Sequence, residues 1–293
     1  MKIWLSALRV RQWNKQVLVT LPLIALGDEV QVSDLGKLFV IAIAFSLVAS
    51  SIYIFNDLQD LASDRLDAVK SQRPFASGQI SPLRGGVIGI FLVLFGFLAV
   101  RITLGATGDF RVILFFFLYF ASNIFYSKCH LKRFRIIGLT IVSLGFSIRF
   151  SIGTFVLNLA FSTWAFVLIM LLTMFMLSGK RFQTFLRGSH SESRESELQF
   201  WLLSMVTFGA FFAATYSGFI SDPEVVGVWG REALIISVLP LGIGLVRFVE
   251  LVIHPEKYLD SDATENMTQD LFLLISVLSF ALILFMGRIS IFT

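Results

Sequence analysis

Long apolar stretches recur along the whole chain, over 10–27, 38–56, 86–104, 111–127, 136–158, 163–179, 199–219, 232–253 and 270–289. An α-helix needs about 20 apolar residues to cross the hydrocarbon core of a bilayer, so these stretches read as spans. Backbone polar groups in lipid must be satisfied within the segment, which makes helices the expected form. Polar residues interrupt the first stretch, and the fourth is short for a span. A hydrophobic content of 56% and a mean hydropathy of +0.81 lie outside the range of ordinary soluble domains. The apolar content is even and no internal repeat or low-complexity segment is visible. The expectation is an all-α membrane protein, with residues 1–293 forming one transmembrane domain of about nine helices in a single bundle.

Charge placement sets the orientation. With the N-terminus in the cytoplasm, Lys2, Arg9, Arg11 and Lys15 fall inside, as do Arg65, Lys70, Arg73 and Arg84 of the second-to-third loop. The same side receives Lys128, Lys132, Arg133 and Arg135, then Lys180, Arg181, Arg187 and Arg194, and finally Arg247 and Lys257. Only Lys37, Arg101, Arg111, Arg231 and Arg288 fall outside, which satisfies the positive-inside rule. The net charge of +4 then reflects topology and anionic ligands, with no nucleic acid implied. Basic residues inside the first stretch do not fit a cleavable signal peptide. Cys129 is the only cysteine, which excludes an intrachain disulfide and a thiolate metal site.

An acidic run closes the second apolar stretch: Asn56, Asp57, Asp60, Asp64 and Asp67. Carboxylates at the mouth of a membrane helix are costly unless they face water, a cation or a partner charge. If the helix continues, Asn56, Asp60 and Asp64 share one stripe with Asp57 beside it. Mg²⁺ binds carboxylates together with substrate phosphates, and such a stripe suits a diphosphate site. The competing reading is a helix end with a solvated acidic face, opposed by the nearby Arg65, Lys70 and Arg73. The polar loops gather on the cytoplasmic side, so a charged cavity open to that side is expected, with a lipid as second substrate.

The motif Asn56-Asp57-x-x-Asp60-x-x-x-Asp64 resembles the first aspartate motif of the UbiA superfamily of intramembrane prenyltransferases. Within that superfamily, the chain is similar to decaprenyl-phosphate phosphoribosyltransferases. The similarity rests on Arg11-Gln12-Trp13-x-Lys15, on Lys70-x-x-Arg73-Pro74-x-Ala76-x-Gly78, on Tyr126-Ser127 and on Gly145-Phe146-x-x-Arg149-x-x-x-Gly153. Gly179-Lys180-Arg181 and Pro240 with Arg247 extend it to about residue 250. Two departures stand out. Gly138 occupies the place of an aspartate usual in that branch, and Gln183 and Thr184 follow Lys180-Arg181 where an acid is usual. The 181–198 loop also lacks a second Asp-rich motif; Glu192, Glu195 and Glu197 are irregularly spaced and read as a solvated loop.

The resemblance implies an enzyme of the bacterial-type inner membrane that moves a phosphoribosyl group from phosphoribosyl pyrophosphate to a polyprenyl phosphate. Asp57, Asp60 and Asp64 would be catalytic and hold Mg²⁺. Asn56, Lys70, Arg73, Tyr126, Lys132, Arg149, Lys180 and Arg181 would bind the polyprenyl lipid and the diphosphate-bearing donor. Several of these have plainer readings. Arg149, in the middle of an apolar segment, would otherwise be half of a buried ion pair. Tyr126, Lys132, Lys180 and Arg181 would otherwise be interfacial anchors. His130, His190 and His254 share no ligand-like spacing. An alternative enzyme would move an isoprenoid chain from a prenyl diphosphate to an aromatic or other acceptor, and a third reading is a transporter.

Overall fold

The computed structural model describes residues 2–105, 108–128, 134–187, 194–254 and 270–289, which are helices and connections with no strand among them. Among the described residues eight helices are long and apolar enough to cross a membrane, and the chain is an integral membrane protein. In chain order the helices are α1 (Lys2–Ala7), α2 (Val17–Thr20), α3 (Leu23–Leu26), α4 (Val32–Gln59), α5 (Leu61–Asp64), α6 (Pro82–Leu104) and α7 (Phe110–Lys128). They continue as α8 (Arg135–Val156), α9 (Thr163–Arg187), α10 (Arg194–Ser221), α11 (Pro223–Trp229), α12 (Arg231–Ile253) and α13 (Leu271–Arg288). The first apolar stretch, expected as a span, is divided into a 3₁₀ segment Val10–Gln16, α2, α3 and a 3₁₀ turn Gly27–Glu29. Pro22 removes a helical donor between α2 and α3, and Gly27 takes φ 59.

The chain divides into two compact units, Met1–Pro22 with Val30–Phe161, and Leu23–Glu29 with Ser162–Thr293. In the first, α4 is the central helix: 61% of its apolar window is buried, against 17% for α6. Helix α6 packs on α4 through small residues. A Cβ on Gly96 would lie 2.6 Å from Val48, and one on Gly89 would lie 3.0 Å from Phe55. Without glycine the two backbones could not approach so closely. On the adjoining face of α4, Phe45 meets Phe116 and Tyr119 of α7 at ring separations of 5.1 and 4.4 Å. Gly153 of α8 lies against the Val19 carbonyl of α2.

An aromatic side chain anchors the segment between α5 and α6. Phe75 is wholly buried against Gly85 and clusters with Ala7, Ile54 and Ile80. Helix α6 then starts on Ser81, whose hydroxyl accepts from the Arg84 N–H, with Pro82 at the first helical position.

In the second unit, Phe175, Met205, Phe248, Leu251 and Leu273 form a core shared by α9, α10, α12 and α13. Asp270 caps α13 by accepting from the Leu273 N–H and takes a forked hydrogen bond from Arg247 of α12. Arg288 donates to the Ala25 carbonyl, tying the end of α13 to α3.

Candidate active site

The acidic run does not lie on one continuous helix. Helix α4 ends at Gln59, Asp60 is its C-cap with φ −84 and ψ 4, and α5 begins at Leu61. Helical hydrogen bonding nevertheless carries on, from the Asp60 N–H to the Asn56 carbonyl and from the Asp64 N–H to the Asp60 carbonyl. Asp57 and Asp64, two turns apart, therefore stay on one side. The expected stripe of Asn56, Asp60 and Asp64 is replaced by a pair, Asp57 and Asp64, each buried.

Both carboxylates converge on one nitrogen. Arg73 Nη1 donates to Asp64 at 2.8 Å and to Asp57 at 3.2 Å. The local sequence places that guanidinium. Asp67 accepts the N–H groups of Val69 and Lys70 and so starts a 3₁₀ turn over Lys70–Gln72. Those two bonds, from Lys70 first and then Val69, hold the Asp67 carboxyl below the ordinary carboxylate range. Pro74 then restricts Arg73 to extended backbone, φ −60 and ψ 147, which stops the turn. Burial of Phe75 pins the chain two residues beyond Arg73.

A second arginine reaches Asp57 from the N-terminal segment. Arg9 Nη2 donates to Asp57 at 2.6 Å, and its guanidinium lies 4.7 Å from the Tyr53 ring centre. The same segment supplies Gln12, whose Oε1 accepts from the Tyr53 hydroxyl and from Lys15 Nζ. At the end of α4, Asn56 Oδ1 accepts from the Ser127 hydroxyl at 2.5 Å, and Gln59 donates to the Ser127 carbonyl. Ser127, adjoining the expected Tyr126, is thus what orients Asn56.

Arg149 is 4% exposed and makes no ion pair among the described residues. Its donors go to neutral oxygens: Gln16 Oε1 at 3.0 Å, the Gly145 carbonyl at 2.6 Å and the Tyr119 hydroxyl at 3.0 Å. Phe45, Tyr119 and Phe146 present ring faces at 4.6, 4.9 and 5.3 Å. Hydrogen bonds to a charged group contribute about 1.5–3 kcal/mol each, and desolvated cation–π contacts about 2. Together they offset the several kcal/mol that burying a cation costs. The ion-pair alternative for Arg149 is therefore not what these residues form.

The remaining expected residues are more dispersed. Lys70 pairs with Asp67 at 3.7 Å, both half-exposed. The hydroxyl of Tyr126 is the nearest atom to the position a Cβ on Gly138 would take, 3.2 Å away. Lys180 and the exposed Arg181 lie near the end of α9 in the second unit, and Lys132 lies outside the described residues. Gln183, at the position of a usual acid, is buried and donates to the Leu251 carbonyl of α12. Glu195 and Glu197 fall in the first turn of α10, where Glu197 accepts from the Trp201 indole; Glu192 is outside the described residues. Asp60 is partly buried at the junction of α4 and α5, between Asp57 and Asp64 in sequence.

Arg9, Gln16, Tyr53 and Tyr119 join the site without having been singled out by sequence, and Gln12 and Ser127, named there only as parts of motifs, join it with no role assigned beforehand. The available signal was the polar run Arg11, Gln12, Asn14, Lys15 and Gln16 at the start of the first apolar stretch.

Among the described residues no three acidic, histidine or cysteine side chains gather as a ligand set. A divalent ion still fits the donors. Two carboxylates meet on one guanidinium nitrogen, and Mg²⁺ characteristically uses one or two carboxylates completed by water and substrate phosphate oxygens.

Comparison with known proteins agrees with this architecture. An uncharacterized protein, y4nM, of Sinorhizobium fredii is 36% identical over 170 residues, 56% of this chain and 31% of that protein. The decaprenyl-phosphate phosphoribosyltransferase of Mycolicibacterium smegmatis is 33% identical over 184 residues, 61% of this chain and 55% of that enzyme. The matched region thus spans about a third to just over half of these relatives. The structure of a UbiA homolog from Archaeoglobus fulgidus bound to DMAPP and Mg²⁺ shares the fold, with a TM-score of 0.64 at 15% identity over 98% of this chain and 99% of that one. The family model for UbiA prenyltransferases matches residues 17–275, most of the chain. With eight helices able to cross a membrane among the described residues and an acidic clamp at the end of α4, the chain belongs to the UbiA prenyltransferase family.

Proposed function

We propose that this transferase moves a phosphoribosyl group from phosphoribosyl pyrophosphate to a polyprenyl phosphate, with Mg²⁺ at the Asp57–Asp64 pair. The observation that carries the reading is the clamp itself: two buried carboxylates and two arginines at one point, where a cation and a diphosphate can replace each other's partners. The similarity to a phosphoribosyltransferase supports the choice of donor. The positive-inside pattern supports a cytoplasmic N-terminus and a site facing the cytoplasm of a bacterial-type inner membrane.

When bound, Mg²⁺ would neutralise the departing pyrophosphate. Asp57, Asp64 and Asp60 hold the donor end of the site, and Asn56, locked by Ser127, orients the diphosphate. Arg73 and Lys70 contact phosphate oxygens, Arg73 as a planar fork and Lys70 as a point charge. Arg149, held by Tyr119 and Gln16, contributes a further phosphate-binding guanidinium, and Tyr126 a polar hydroxyl, within the same unit. The acceptor phosphate is already anionic at neutral pH, so no general base is required. The bond from the anomeric carbon to pyrophosphate breaks as the bond to the acceptor oxygen forms. Catalysis is positioning and charge stabilisation at that carbon.

The test is transfer of radiolabel from phosphoribosyl pyrophosphate into organic-extractable polyprenyl phosphate by the purified chain, with and without EDTA. A prenyl diphosphate with an aromatic acceptor runs beside it. Label only in that second reaction replaces the phosphoribosyl reading with prenyl transfer, and diphosphate release in neither overturns both.

A further inference from the structure

Arg9 has an unusual backbone. It is one of two non-glycine residues with positive φ among those described, at φ 50 and ψ 46 in the left-handed region. L-residues other than Asn, Asp and Gly rarely adopt it, and such strain persists only where the surroundings over-determine it. Here the surroundings are α4. Ser50, fully buried, donates its hydroxyl to the Leu8 carbonyl at 2.8 Å and accepts from the Trp13 indole at 3.1 Å. The Arg9 carbonyl accepts from the Gln12 N–H. Ser50, Tyr53 and Asp57 share one face of α4, and residues 8–13 lie along that face as a strap.

The strap presents the Arg9 guanidinium to Asp57, yet Arg73 already pairs with Asp57. Two arginines thus balance two carboxylates, Asp57 and Asp64. A divalent cation that takes both carboxylates leaves two guanidinium groups without their partners, beside the oxygens that complete the cation's shell. A diphosphate restores the balance, and a planar guanidinium fork matches phosphate geometry. The Arg9 side chain is 28% exposed whereas Asp57 is 5% exposed, so of the two it is Arg9 that an incoming anion reaches.

We propose that Arg9 is a donor-binding residue held in reserve on Asp57: it yields Asp57 to the cation and passes to the diphosphate. This rests on the reading of Asp57 and Asp64 as the diphosphate site. The exchange has a signature that a structural pin lacks, because Arg9 competes with the cation but cooperates with the anion.

The full chain in nanodiscs, as wild type, Arg9→Asn, Arg9→Lys and Ser50→Ala, is titrated with Mn²⁺ alone and with inorganic pyrophosphate in excess Mg²⁺. Asn tolerates the left-handed backbone, so Arg9→Asn removes the charge and keeps the turn. Arg9→Asn is expected to bind Mn²⁺ more tightly and pyrophosphate about tenfold more weakly, the loss of one charge-assisted pair. Arg9→Lys is expected to fall between it and wild type for pyrophosphate. Any pattern other than opposite shifts in Arg9→Asn overturns the proposal, as does the same pattern in Ser50→Ala, which loosens the strap without touching the charge. Asp57→Asn is the separate control: unchanged Mn²⁺ binding there defeats the diphosphate-site reading itself.

Discussion

The Tyr126 hydroxyl faces the bare Cα of Gly138, where a Cβ would lie 3.2 Å from it. Seven residues away on each helix the contact repeats, Tyr119 standing 3.2 Å from the Cβ position of Gly145. Seven residues are two helical turns, so the two tyrosines of α7 meet the two glycines of α8 in antiparallel register. One contact leads to Arg149, through the Tyr119 hydroxyl. The other is where the related phosphoribosyltransferases resembled by this sequence would place an aspartate.

Gly138→Asp restores that acid against Tyr126. The added Cβ is tight enough that Tyr126 must shift by a few tenths of an ångström. The expected outcome is a several-fold rise in kcat/KM for phosphoribosyl pyrophosphate at a stability cost of about 1 kcal/mol. Gly138→Ala carries the same steric load without the carboxylate and is expected to lower stability without raising transfer. Equal kinetics for the two variants would show that the missing acid has no part in donor choice.

The clamp makes the three motif aspartates separable. Asp57→Asn, Asp60→Asn and Asp64→Asn are each expected to reduce turnover about a hundredfold or more, as loss of a metal ligand or its support does. Their stabilities should differ. Asp57→Asn loses its pairs with Arg9 and Arg73 and Asp64→Asn its pair with Arg73, each with a partly exposed arginine and intermediate between surface and buried pairs, at about 1–2 kcal/mol per pair. Asn at position 60 leaves the Arg73 pairs with Asp57 and Asp64 in place, so its melting temperature should stay nearer to wild type. Undiminished activity of Asp60→Asn would remove Asp60 from the site, and full turnover in EDTA would remove the metal.

Arg149 offers a test of neutral partnership. Arg149→Met leaves Gln16 and Tyr119 without their buried donor, at about 1–3 kcal/mol for each unsatisfied group. Arg149→Lys keeps the charge but cannot serve Gln16, Gly145 and Tyr119 together. If Arg149 fixes a phosphate-binding end, both variants lose activity at temperatures where they remain folded, Met more than Lys. Activity that merely tracks the folded fraction would make the residue a packing element.

The spans were legible because lipid admits little but helices, and eight of the nine apolar stretches are single long helices. The first stretch was misread as continuous because hydropathy averages over Pro22 and Gly27, where the chain breaks. The carboxylates Asp57 and Asp64 were legible as charges at a helix mouth. Their pairing through Arg73 was not, since it depends on Pro74 holding Arg73 extended and on Phe75 anchoring the turn. The contribution of Arg9 was hidden for a different reason. Positive residues near the N-terminus satisfy the positive-inside rule whether or not they reach a site, and the strap across α4 is what brings Arg9 to one.

Asp67 couples pH to the placement of Arg73. Its carboxyl sits below the ordinary range because the charged form accepts the Lys70 and Val69 N–H groups. A depressed folded-state pKa contributes stability above the unfolded value, near 3.9, and that contribution is lost as pH falls through the lower folded value. The turn over Lys70–Gln72 is therefore expected to stay intact at pH 5 and above and to loosen only in strong acid. Asp67→Asn retains an oxygen acceptor for both amides and should keep the turn at all pH values, whereas Asp67→Ala should lose it even at pH 7. Hydrogen exchange of the 67–73 amides, compared between pH 7 and pH 3 in the three proteins, measures this directly. Protection in Asp67→Ala equal to wild type at pH 7 would show that Phe75 alone holds the segment, and that Asp67 has no part in presenting Arg73 to the carboxylates.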